Sequence, residues 1–124
     1  MSVLNAPPGP THELPGTRFT ALASPARGTV DTSVWQVEIS PGTPATPHSL
    51  TREEVFVILS GTARVRIGDE RAQAQPGDAV VVPADTPFEI SCAGDEPLRA
   101  LCCLPVGGQA MLADGSTFVP PWAQ

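Results

Sequence analysis

The chain has 124 residues and a mass of 12.9 kDa, the size of one domain. Fifteen prolines and eleven glycines exclude a mostly helical fold, because an interior Pro costs a helix about 3 kcal/mol and a Gly about 1; with 41% hydrophobic and 16% charged residues, disorder is excluded as well. A net charge of −6 sets the chain against phosphate backbones, so no nucleic-acid partner is expected.

Residues 1–16 hold four prolines and no periodicity, and read as an arm that is ordered only by docking. Residues 17–124 read as a single domain with a tail. Arg18–Ala23 is the first expected strand. Ser33–Ser40 alternates, with Trp35, Val37 and Ile39 on one face and Val34, Gln36 and Glu38 on the other, and Pro41-Gly42 ends it. Glu54–Leu59 is nearly all apolar, as a strand covered on both faces would be. After the Ser60-Gly61 turn, Thr62–Ile67 sends Ala63, Val65 and Ile67 inward and Arg64 and Arg66 to solvent. Arg71–Ala74 and Ala79–Val82 are short strands. Pro87–Cys92 places Phe88, Ile90 and Cys92 on one face, and Leu98–Leu104 is the last clear strand. The tail carries one helical turn near Gln109–Leu112. About eight or nine short strands with no long helix give an all-β sandwich or small closed barrel.

Residue types narrow the chemistry further. All seven basic residues are Arg, so no lysine Schiff base can form, and the absence of Tyr removes the phenol as an acid. No apolar run approaches the ~18 residues of a membrane span, so no membrane partner is expected. The N-terminal stretch lacks the charged and apolar regions of a secretory signal. Cys102 and Cys103 point to opposite faces of a strand, and three cysteines suit reduced thiols in a cytoplasmic protein.

Gly42, His48, Glu54 and Gly61 stand at the spacing of the first cupin motif, which this segment resembles, with Leu50 in the place of the motif's second His. Gly77 and Pro83 resemble the second motif, with Asp85 at its Gly position, Phe88 at its His position and Cys92 at its Asn position. The resemblance spans roughly Ser33 to Pro105. It implies a cupin jelly-roll β-barrel with a pocket at one end, and a homodimer in which the N-terminal arm crosses onto its partner.

In metal-bearing cupins, three His and one Glu converge on Fe, Mn, Ni, Cu or Zn. Carried over, the resemblance leaves His48 and Glu54 as metal ligands, while Leu50 and Phe88 have no lone pair to give. Hence either no cofactor or one divalent transition metal is expected, the latter needing a thiolate beside His48 and Glu54, from Cys92, Cys102 or Cys103, to rebuild the site. Without a metal, His48 and Glu54 form a hydrogen-bonded acid–base pair, the catalytic candidates for an isomerisation, cyclisation or dehydration. Metal-free cupin epimerases use a His–Tyr couple, which a chain without Tyr lacks. Leu50, Phe56, Phe88, Ile90 and Cys92 line the expected pocket, making it dry and suited to a small, largely apolar organic ligand such as an aromatic one. Trp35 is core or interface. Trp122 covers the barrel mouth, packs on a partner or lies in a disordered tail.

Overall fold

The computed structural model describes residues 2–124. Among the described residues, twelve strands form two six-stranded antiparallel sheets that face each other as a jelly roll. The first sheet runs β1 (His12–Leu14), β2 (Thr17–Ala23), β3 (Thr32–Ile39), β10 (Leu98–Pro105), β5 (Glu54–Ser60) and β8 (Ala79–Val82). The second runs β12 (Thr117–Phe118), β11 (Ala110–Leu112), β4 (His48–Leu50), β9 (Phe88–Cys92), β6 (Ala63–Ile67) and β7 (Glu70–Ala74). Two single 3₁₀ turns, Pro25–Arg27 and Pro121–Ala123, complete it. Among the described residues no helix is long and apolar enough to cross a membrane.

Period-2 patterning sets the faces. Trp35, Val37 and Ile39 are buried on β3, as are Leu98, Ala100, Cys102 and Leu104 on β10, and the two strands pair along their whole length. Ala63 and Val65 are buried on β6, while Arg64 is exposed and Arg66 is ion-paired with Glu89 on β9. β5 departs from the expectation of cover on both faces. Glu54, Phe56 and Ile58 point inward and are buried, but Val55 and Val57 are half-buried and Leu59 is exposed, because among the described residues no layer covers the outer face of this sheet.

The ends of the chain are more regular than their sequence suggests. The N-terminal arm contains β1, which pairs with β2 of its own chain; the Arg27 guanidinium donates to the carbonyls of Asn5, Ala21 and Leu22, holding the arm further down. The helical turn expected near Gln109–Leu112 is instead strand β11, because Ala110, Met111 and Leu112 find ladder partners in Leu50, Ser49 and His48. A lone segment of three residues cannot announce such long-range pairing.

Two turn positions fix loops at opposite ends of the barrel. Gly61 has φ +76°, and a Cβ there would stand 2.5 Å from the Pro97 carbonyl oxygen, so only glycine fits. Asp85 takes a left-handed φ of 59°, a conformation Asp tolerates better than most residues. Its N–H donates to the Leu50 carbonyl at 2.7 Å, tying the β8–β9 loop to β4.

Candidate functional site

A cavity of about 370 Å³ lies between the two sheets. The first sheet contributes Phe19, Trp35, Val37, Glu54, Phe56 and Cys102. The second contributes His48, Leu50, Phe88 and Ile90. The wall is completed by the loop carrying Thr46, by Phe118 of β12 and by the tail residues Pro120 and Trp122. Four of the five expected pocket residues, Leu50, Phe56, Phe88 and Ile90, therefore line one space.

Cys92 does not line it, contrary to the expectation. It lies four residues along β9 from Phe88, roughly 13 Å at the rise of a strand, and so faces the same way at the other end of the barrel. There it pairs with Ala63, and its thiol donates to the carbonyl of Glu96 at 2.9 Å.

His48 is held by its neighbours on both sides. Its Nδ1 lies 2.8 Å from the Thr46 carbonyl, which can only accept, so Nδ1 carries a hydrogen and the lone pair of a neutral ring is at Nε2. Across the β4–β9 pairing its ring meets Phe88, with centroids 4.4 Å apart.

Glu54 begins β5 opposite Val82, on the same inward face as Phe56 and Ile58, and is only 4% exposed. Burial pushes its carboxyl up to about 8, so at neutral pH it is mostly protonated and can donate a hydrogen bond. The expected His48–Glu54 pair is not formed: among the described residues no hydrogen bond or ion pair joins them, and the Thr46 carbonyl orients the imidazole instead. Both remain on the wall of one cavity.

The donor set does not fit the metal of metal-bearing cupins. The side chains at two of the four ligand positions are the hydrocarbons of Leu50 and Phe88, both fully packed. Cys102 reaches the cavity wall, but burial, the nearby Glu54 and then Cys103 push its thiol well up, away from the thiolate that binds metal. Cys103 is on the opposite face of β10. Among the described residues no three His, Cys, Asp or Glu side chains gather closely enough to hold an ion.

Sequence reasoning underrated the tail. Trp122 stacks on Phe19 with centroids 3.6 Å apart and planes within 4°, and contacts His12 edge-on. The buried Ser33 hydroxyl donates to the Ala123 carbonyl at 2.7 Å and anchors this turn to β3. The Pro120-Pro121 pair was the available signal, since it stiffens the chain just before the tryptophan.

The family profile described as cupin domain matches residues 35–104. The chain belongs to the cupin family. Its fold matches that of the polyketide cyclase RemF of Streptomyces resistomycificus, with a TM-score of 0.72 at 19% identity, covering 95% of this chain and 82% of that one. It also matches an oxalate decarboxylase of Lactobacillus farciminis, with a TM-score of 0.70 at 25% identity, covering 83% of this chain and 31% of that one. In sequence it is similar to an uncharacterised protein, MJ1618, of Methanocaldococcus jannaschii, 36% identical over 53 residues. That match covers 43% of this chain and 42% of the relative's length.

Proposed function

We propose that this cupin binds a small, largely apolar organic molecule inside the barrel. The observation that carries the reading is the makeup of the cavity: about 370 Å³ walled mainly by apolar side chains, with a buried carboxyl at Glu54 and an imidazole at His48 among a few polar points that include Thr17, Thr43 and Thr46. Apolar walls supply affinity through burial, at roughly 25 cal/mol per Å² removed from water, and the polar points fix orientation. Three free cysteines support a reducing, cytoplasmic setting.

A second reading makes the same cavity catalytic. His48 presents Nε2 as a proton acceptor, and Glu54 presents a neutral carboxyl as a donor. An acceptor and a donor on opposite walls of one mainly apolar cavity suit proton transfer in an isomerisation, cyclisation or dehydration.

Titration with the neutral fluorophore N-phenyl-1-naphthylamine tests the binding reading. The expected result is saturable uptake of one molecule per chain, weakened at least tenfold in Thr46→Trp, which fills the cavity from an exposed loop. Uptake that never saturates, or that Thr46→Trp leaves unchanged, rejects it. Turnover of a bound compound that is lost in both His48→Ala and Glu54→Ala would decide for the catalytic reading.

A further inference from the structure

The chain has six aromatic residues of the Phe, Trp and Tyr class, and all six line this one cavity: Phe19, Trp35, Phe56, Phe88, Phe118 and Trp122. The rest of the core is built differently. Away from the cavity it is aliphatic, with Ile58, Val65, Val82, Leu98, Ala100 and Leu104. Val37, Ile39, Leu50 and Ile90 share the cavity wall with the rings, but no ring stands in the rest of the core, which is buried at least as completely, so packing alone does not require this placement.

The rings also come from both sides. Phe19, Trp35 and Phe56 stand on the first sheet, Phe88 and Phe118 on the second, and Trp122 on the tail. Phe118 is 39% exposed. An aliphatic ligand placed among them would gain from area alone. A flat aromatic ligand gains in addition from offset stacking and edge-to-face contacts, which ring quadrupoles favour.

We infer that the ligand of this cavity is a planar aromatic compound of about two to three fused rings carrying a hydroxyl or carbonyl group, its ring faces and edges against the six aromatic side chains and its oxygen toward Glu54 and His48. The size follows from the volume: an apolar cavity of ~150 Å³ holds one benzene, and this one measures about 370 Å³. The oxygen follows from the buried Glu54 carboxyl, which opens onto the cavity and has no hydrogen-bond partner among the described residues; an all-hydrocarbon ligand would leave it unpaired.

This inference rests on the binding reading above, and the test separates the two. 1-Naphthol and decahydro-1-naphthol share a carbon skeleton and a hydroxyl, but only the first is flat and aromatic. Calorimetric titration of the intact protein should show 1-naphthol binding at least tenfold more tightly. Phe88→Leu should reduce that preference to threefold or less. Because Phe88 is buried, Phe118→Leu on the exposed rim serves as the second variant and should reduce the preference at least twofold. Equal affinity of the two alcohols overturns the aromatic inference and leaves the binding reading standing. Failure of both alcohols to bind, with N-phenyl-1-naphthylamine also excluded, overturns both.

Discussion

His48 and Phe88 sit directly opposite each other on adjacent strands, their rings 4.4 Å apart. Both are histidine positions in the motif this chain resembles; here the imidazole packs on a benzene ring. The contact is the boundary between a polar point and an apolar wall.

The first prediction concerns that boundary. Leu50→His with Phe88→His returns nitrogen donors to two positions beside His48 and Glu54. The double variant, loaded with Zn²⁺ or Mn²⁺ and dialysed, should retain close to one ion per chain by elemental analysis, and the parent protein far less. Equal retention by both proteins would show that the hydrocarbon side chains are not what limits metal binding.

The pH dependence of stability follows from Glu54. In the folded protein its carboxyl holds its proton up to about 8, whereas an unfolded chain releases it near 4.5. Between these values the folded state binds the extra proton, so stability is full below about 4.5 and falls as pH rises through 8. The difference corresponds to a loss on the order of 5 kcal/mol. Urea unfolding from pH 4.5 to 9 should show this decline in the parent and a flatter profile in Glu54→Gln. Parallel profiles would mean that Glu54 is not the group responsible.

Backbone conformation gives a third test. Gly61→Ala forces a Cβ to within 2.5 Å of the Pro97 carbonyl oxygen at a positive φ, and should cost about 2 kcal/mol or more in chemical denaturation. At Asp85, also at positive φ, Gly should be tolerated and Val should cost about 1–2 kcal/mol. An Asp85→Val protein as stable as the parent would contradict the left-handed geometry.

The tail anchor gives a fourth. Ser33→Ala removes the buried hydroxyl that donates to the Ala123 carbonyl, leaving that acceptor unpaired, at about 1–3 kcal/mol. Limited proteolysis should cut the tail of this variant faster than that of the parent. An unchanged rate would assign the hold on the tail to the Phe19–Trp122 stack alone.

The long strands were legible because alternation is local: Trp35, Val37 and Ile39 declare their shared face within five residues. The motif spacing likewise placed His48, Glu54, Leu50 and Phe88 on one cavity. What was illegible depends on distance along or across the barrel. β4 and β11 span three residues each and pair with partners far away in the chain, while β1 and β12 close local hairpins with β2 and β11 that are too short to show a period. Cys92 shares a face with Phe88 but not an end, and period-2 patterning reports the face alone. The His48–Glu54 pair failed for a similar reason: the two side chains stand on opposing sheets, and motif spacing does not report the gap between them.

Gathering every aromatic side chain around one space has an optical consequence. The chain has two tryptophans and no tyrosine, so nearly all of its absorption at 280 nm and of its intrinsic emission arises from Trp35 and Trp122. Both indoles border the cavity, one on its inner wall and one on the tail. No distant fluorophore contributes a constant background. A ligand that enters the barrel is therefore expected to act on both of the protein's emitters, so its occupancy can be read from the intrinsic signal without a label.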